Sequence, residues 1–390
     1  MQKLRFFIFL KDIFLLAITT IGGPHSHLPL ILDRMVRKRK YLTEEELLEL
    51  NALCQVLPGP SSTQTITAIG YKLGGAKLAY FTLLVWVFPS MFIMTLAAIS
   101  ISYFSDQNLS MPFTKYLEPL AVGFVAYAAW TICTKVIKTN LGILLLVLSS
   151  VLGYFFRSPY ITPLIILAGG LSTTYKYKLL PEDEPQVMEI KWANFILFVV
   201  VFVATFLIGI ITKSIPVKLF ESFYRNGALI FGGGQVLIPL LHTEYVTLKS
   251  YLTSEEFLTG YALVSAIPGP IFAISSYIGA LSMREYGIVG EITGGLLSTA
   301  GIFLPGTFMI FFVFGFWNGL KKNRVVKAAL EGINAVSSGL VVGVAIYLFD
   351  NVEHNYINLL LIGGSFVALM TERVPSILII SFGMALGYIL

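Results

Sequence analysis

Two short stretches of this chain carry residue types that could hold an anion. One is Pro58-Gly59-Pro60, followed at once by Ser61, Ser62, Thr63 and Gln64; the other is Pro268-Gly269-Pro270, with Ser275 and Ser276 further on. A Pro-Gly-Pro triplet cannot continue a helix, and its last proline is pre-set for the first turn of a new one. The free amides of that new helix, with hydroxyls beside them, would present several donors and a positive dipole end, the chemistry that recognises an oxyanion. The competing reading is that each triplet only turns one helix into the next and that the hydroxyls bond back within their own helix. Ser61 and Ser62 are the better placed contacts, because Ser275 and Ser276 fall more than a turn inside their helix.

Other residues fit the same chemistry. The runs Gly22-Gly23 and Gly232-Gly233-Gly234 permit unwound backbone and close approach, although tight helix packing selects the same residues. Gln235 stands in the second run where His25 stands in the first. Arg225, about two helical turns before Gly232, could neutralise an anion through a bidentate pair. Lys72 is a second candidate cation, with snorkelling to an interface as its alternative. His25 and His27 lie in the first break, and imidazole titrates near neutral pH, so either could relay a proton or pair with the anion. Neutral imidazole bonded to freed backbone carbonyls is the alternative. Glu331 and Glu244 are further candidate coupling acids, whereas Glu118 reads as a residue placed at a helix start. No set of His, Cys and carboxylates has metal-ligand spacing.

The elements that would position these residues are membrane helices. The chain has 390 residues, 56% of them hydrophobic and 13% charged, and several apolar runs are long enough to cross a bilayer. The net charge of +5 sits in short clusters between those runs, as cytoplasmic loops carry it, which argues against nucleic acid. Cys54 and Cys133 read as packed, reduced thiols. The apolar start resembles a secretory signal but lacks a small-x-small cleavage site, and is expected to be retained.

The chain is an internal duplication. Gly22–Pro60 recurs 210 residues later as Gly232–Pro270, with 16 of 39 positions identical without a gap. Each copy begins with a glycine run and a short apolar piece, which predicts a broken or re-entrant hairpin, tolerated in a membrane only where protein or a polar cavity covers it. Thr43-x-x-Glu46 and Thr253-x-x-Glu256 predict capping boxes opening helices that end at the triplets. Long apolar runs follow, from Leu78 to Phe104 and from Ile292 to Trp317, each with an expected break at Pro89 or Pro305. Shorter runs come next, near 116–134, 141–156 and 161–174 in the first half and 328–349, 357–370 and 376–390 in the second. Five basic residues lie between Arg34 and Lys40 but only Lys249 in the matching stretch, and the bias reverses between Ser105–Lys115 and Lys321–Lys327. Under the positive-inside rule the repeats are therefore inverted, with the unpaired span Trp192–Ile211 supplying the flip.

These motifs resemble the chromate ion transporter family in its long two-domain form. The resemblance rests on Gly22-Gly23-Pro24 with His27, on Leu57–Thr63, on Phe231–Leu241 with Glu244, and on the second Pro-Gly-Pro. It implies a membrane carrier exporting chromate, coupled to the proton-motive force, with sulfate as a related substrate. The expected fold is all-α and polytopic: a first repeat over 1–175, a polar linker with the linking span over 176–215, and a second repeat over 216–390. The expected function is secondary active transport in the cell membrane, the plasma membrane of a bacterium, by an antiporter. A carrier for sulfate or another oxyanion and a passive anion channel are the alternatives. A membrane enzyme is disfavoured, since H-E-x-x-H, G-x-S-x-G and P-loop motifs are all missing from the sequence. The expected partners are the oxyanion, protons and the lipid bilayer, with a homodimer as candidate assembly and neither nucleic acid nor cofactor.

Overall fold

The computed structural model describes residues 2–20, 24–106, 114–136, 139–156, 161–179, 192–230, 234–320, 323–371 and 373–389. Every regular element among them is helical. In the first half, α1 (Gln2–Thr19) precedes α2 (Pro24–Ile31), which runs into a π-helical segment, Leu32–Lys38. Then come α3 (Glu44–Val56), α4 (Ser61–Asp106), α5 (Leu117–Val136), α6 (Asn140–Phe155) and α7 (Ile161–Thr174). After α8 (Ala193–Thr212) the order recurs: α9 (Ile215–Leu229), α10 (Gly234–His242), a second π-helical segment (Thr243–Leu248) and α11 (Ser254–Ala266). The rest of the second half is α12 (Ile274–Ser282), α13 (Gly287–Val313), the short α14 (Trp317–Leu320), α15 (Arg324–Asn351), α16 (Tyr356–Met370) and α17 (Ser376–Ile389).

The duplication reaches the backbone angles. Lys40 and Ser250, each closing a π-helical segment, both have φ of 52°. The helix after each triplet is interrupted about four turns on, by Gly74-Gly75 within α4 and by the turn at Gly287 between α12 and α13. Among the described residues, α8 has no counterpart in the first half.

Among the described residues, five helices are long and apolar enough to cross a membrane: Ser61–Phe104, Leu117–Thr134, Ala193–Thr212, Arg284–Val313 and Arg324–Asn351. Their outward faces carry exposed Leu84, Phe88, Ile196, Phe206 and Leu296, which is stable against hydrocarbon but not against water. The protein is an all-α, multi-pass membrane protein. The breaks expected at Pro89 and Pro305 do not occur, for α4 and α13 continue through both prolines. Proline removes one backbone bond, and packing neighbours make that loss tolerable within a membrane helix. The interruption falls instead on the glycine turn.

The chain forms two compact units, and each draws on both halves. One contains Met1–Ser110, Lys191–Leu229 and Leu263–Gly315; the other contains Met111–Ile190, Ile230–Ala262 and Phe316–Leu390. In the first unit α9 crosses α13 where Gly227 lies on the Ile302 carbonyl and Gly301 on that of Phe220, so a side chain at either glycine would separate the helices. In the second, α15 packs on α6 and α7 in the same manner, with Gly339 against Leu146 and Ser149 and Gly332 against Gly169. Small residues that let backbones touch are the usual means of helix association where lipid competes for apolar contact.

Candidate functional site

Both Pro-Gly-Pro turns belong to the first unit. Thr43 and Glu46 form the complete capping box that starts α3, and Leu57 ends that helix with extended backbone. Gly59 then adopts φ of +113°, and its counterpart Gly269 adopts +109°, a region that costs any residue with a Cβ. α4 begins directly after Pro60. Its fourth residue, Gln64, closes the first turn by donating its backbone N–H to the Pro60 carbonyl at 2.8 Å and its side-chain Nε2 to the Pro58 carbonyl at 2.6 Å. The Gln64 Oε1 is buried and accepts no hydrogen bond among the described residues. Ser61 and Ser62 are half-buried, while Thr63 and Gln64 are buried.

α2 supplies the next layer. His27 is fully buried, with Nδ1 2.9 Å from the Ser62 hydroxyl. The imidazole meets Trp86 edge-on at 5.3 Å, and Trp86 Nε1–H donates to Thr63 Oγ1 at 3.1 Å. The ring is thus held against the first turn of α4, so that the predicted imidazole and the predicted serine form one hydrogen-bonded unit.

The two turns are seated reciprocally. Gly59 packs against Gln64 and Gly306, the residue after Pro305 in α13. Gly269 packs against Ser90, the residue after Pro89 in α4, and donates its N–H to the Thr20 carbonyl at 3.0 Å. Each turn therefore rests beside the helix proline of the other half. The chemistry is less symmetric than the shape. After Pro270 come Ile271, Phe272 and Ala273 in a 3-10 turn, so the positions equivalent to Ser61, Ser62 and Thr63 are apolar. Ser276 bonds back to Ala273 O at 2.8 Å and reaches Met91 O at 3.3 Å, while the Ser275 hydroxyl is buried without a hydrogen-bond partner among the described residues.

An ion cluster pins the first hairpin. Asp12 of α1, fully buried, accepts from Arg34 Nη2 at 2.6 Å, from Arg39 Nε at 2.7 Å and from the Tyr41 hydroxyl at 2.8 Å. Burial, then the hydrogen bond to Asp12, pushes the Tyr41 hydroxyl up to about 12. In the second unit, Glu244 and Lys249 stand at the positions of Arg34 and Arg39, and pair at 2.8 Å. Lys249 also lies 4.6 Å above the ring of Tyr245. Glu244 is thus a buried ion-pair partner at the bend of its hairpin, 1% exposed.

The remaining predicted residues lie in various places. Arg225 is buried on α9 with its Nε directed to Glu221 at 3.3 Å, one turn earlier. Lys72 pairs with Glu46 at 2.6 Å; that bond, with the Thr43 N–H, holds the Glu46 carboxyl below its usual range. In the second unit Glu331 accepts from Lys176 at 2.7 Å and from Thr139 at 2.6 Å. Gly22, Gly23, Gly232 and Gly233 fall outside the described residues, as do the side chains of His25 and Gln235; Gly234 begins α10. Sequence reasoning missed Asp12, Trp86 and Gly306. Asp12 did carry a signal, a lone acid in an apolar run, whereas nothing local marks the other two.

The chromate transporter family profile matches residues 7–174 and 217–388, one copy in each half. An uncharacterized transporter of Methanocaldococcus jannaschii is 25% identical over 395 residues, covering 99% of this chain and 93% of its own. A probable chromate transport protein of Synechococcus elongatus is 23% identical, covering 84% and 80%, and a chromate transport protein of Cupriavidus metallidurans is 22% identical, covering 84% and 78%. No solved structure matches the chain.

Proposed function

We propose, from the premise that this chain belongs to the chromate transporter family, that it moves a tetrahedral oxyanion across the membrane by secondary active transport. Chromate is the first substrate and sulfate its nearest competitor. Transport is outward, driven by the proton-motive force, with two inverted repeats exchanging access to one site. The two domains are the repeats at 1–175 and 216–390, linked by 176–215.

The observation that supports this reading is the reciprocal seating of the Pro-Gly-Pro turns, each beside the helix proline of the other half, with hydroxyls and free amides gathered at one of them. The proposed site is Pro58, Gly59, Pro60, Ser61, Ser62 and Gln64, with Pro268, Gly269 and Pro270 of the second turn. Gly22, Gly23, Gly232, Gly233, Gly234 and Gln235 are assigned to the site from the sequence alone, and Arg225 supplies cationic charge. His27 and His25 provide proton coupling, with Glu244 and Glu331 as acids whose pairing must change during the cycle. The backbone amides of Ser61, Ser62 and Thr63 precede any i−4 carbonyl of α4 and are the donors offered to an anion, the Gln64 amide being bonded to the Pro60 carbonyl.

Uptake of radiolabelled chromate and sulfate into proteoliposomes, with and without an imposed pH gradient, tests the reading. Chromate flux that rises with the gradient is expected. Flux that needs only the anion's own gradient would make the protein a passive channel, and loss of neither anion's flux in a Ser61→Ala/Ser62→Ala variant would remove the site.

A further inference from the structure

We propose that His27 and Ser62 form a switch through which the proton and the oxyanion bind together, so that this protein carries both in the same direction instead of exchanging them. The inference rests on the oxyanion reading above and gives the sign of its coupling. The geometry is the hydrogen bond of 2.9 Å between His27 Nδ1 and Ser62 Oγ. A neutral imidazole protonated on Nε2 presents Nδ1 as an acceptor, and the Ser62 hydroxyl is then spent on it. Imidazolium can only donate. Its Nδ1–H must go to the Ser62 oxygen, which turns the hydroxyl hydrogen away from His27 and releases it toward an anion at the start of α4.

Two effects then act with the same sign. Protonation frees one donor at the anion site and places a positive charge one hydrogen bond from it, in a buried setting where water screens little. By linkage, a bound dianion must favour the protonated imidazole by the same factor. The ring has little freedom to avoid the choice, because Trp86 meets it edge-on and is itself tied to Thr63, the neighbour of Ser62.

Other charges on the elements packed against α2 are engaged or face outward. On the π-helical segment Arg34 pairs with Asp12 and Lys38 with Asp33, while Arg37 is exposed. On α4 Lys72 pairs with Glu46, and Lys77 is exposed. Among the described side chains, the hydroxyl-to-imidazole bond is therefore a titratable contact that touches the first turn of α4. Carrying one proton with a dianion leaves one net negative charge, so an inside-negative potential drives the pair outward. This sense of coupling reverses the antiport expected from the family resemblance, and it makes the membrane potential acting on that net charge the driving force in place of the proton-motive force, because the proton then leaves against its own gradient.

The test uses the full chain and labelled sulfate, which stays a dianion across the range used, so that the substrate's own titration does not intrude. In detergent solution, wild-type affinity for sulfate should rise about tenfold between pH 8 and pH 5.5. His27→Gln should abolish that dependence, and Ser62→Ala, which keeps the imidazolium charge but loses the freed donor, should reduce its slope. In proteoliposomes with a trapped pH dye, inward sulfate flux should acidify the lumen. Alkalinisation on sulfate entry, a pH-independent wild type, or either variant keeping the wild-type slope would overturn the proposal. Should His27→Gln fail to fold, Ser62→Ala, a minor truncation at a helix start, still tests the switch through its expected reduced slope. Binding without pH dependence defeats only the switch; absence of chromate and sulfate binding at every pH defeats the oxyanion reading and the switch with it.

Discussion

Replacing Asp12 with alanine should unfasten the first hairpin. The carboxylate is fully buried and is the common acceptor for Arg34, Arg39 and Tyr41, whose sequence positions lie 22 to 29 residues away. Breaking a buried ion pair by deleting one partner costs about 3–5 kcal/mol, because the other charge is left uncompensated. Here the loss falls at the lower end, since the Arg34 side chain is 27% exposed and the Arg39 side chain 43%, and each regains water when released. A loss of about 3 kcal/mol corresponds to about 6–12 °C in melting temperature for a unit of this size. The control is Asp33→Asn, which removes a pair with Lys38 whose side chains are 41% and 63% exposed; it should cost under about 1 kcal/mol. Thermal unfolding in detergent, followed by intrinsic fluorescence, compares the two. Equal melting points for Asp12→Ala and Asp33→Asn would refute the claim that this cluster holds α1 to the hairpin.

Other outcomes follow from single contacts. Gly306→Ala drives a methyl into the Gln64 amide and the Pro58 carbonyl; about 1–3 kcal/mol of overpacking should displace the first turn and abolish transport while membrane insertion persists, as uptake and immunoblotting would record. Gly269→Ala, at φ +109° and tight against Ser90, should cost about 1–3 kcal/mol in thermal unfolding. Glu244→Gln leaves Lys249 without its 2.8 Å partner and should lower the melting temperature more than Glu46→Gln, whose carboxylate is 39% exposed. For Glu46, a folded-state value held low by Lys72 and Thr43 means that its contribution is present above the ordinary glutamate value and lost as pH falls through the lowered one. The melting difference between wild type and Glu46→Gln should therefore vanish in acid and not in base.

Local chemistry was legible in the sequence and long-range partnership was not. The run expected over 357–370 is α16, Tyr356–Met370, and the capping boxes at Thr43 and Thr253 are complete in both copies. Those features depend on residues within one turn of each other. Lys72 illustrates the opposite case. Its expected snorkelling is a fair default for a lone lysine, yet its partner Glu46 is 26 residues earlier, brought near only because the Pro-Gly-Pro turn folds α3 beside α4. The prolines misled for a related reason: they are strong local breakers, but their neighbours Ser90 and Gly306 serve as seats for the turns, and the helices run on. Among site residues, His27 and Ser62 were each visible by type, 35 positions apart; their hydrogen bond was not.

The duplication also separates shape from chemistry. Gly59 and Gly269 share their unusual backbone, and the two turns share their reciprocal seats, so both halves have kept the geometry that a broken-helix site requires. The first half follows its turn with Ser61, Ser62 and Thr63, and there His27 reaches the Ser62 hydroxyl; the second half has Ile271, Phe272 and Ala273 at those positions. If substrate were recognised equally by both halves, these positions would need donors in each. Anion recognition should therefore be concentrated at the first turn, with the second acting as its mechanical counterpart. Ser61→Ala/Ser62→Ala should raise the KM for chromate by about tenfold or more, since a lost hydrogen bond to a charged group is worth about 1.5–3 kcal/mol. Ser275→Ala should leave KM within about twofold. Equal effects on KM from the two variants would mean that donors in the second half had taken over the role, and the asymmetry argument would fail.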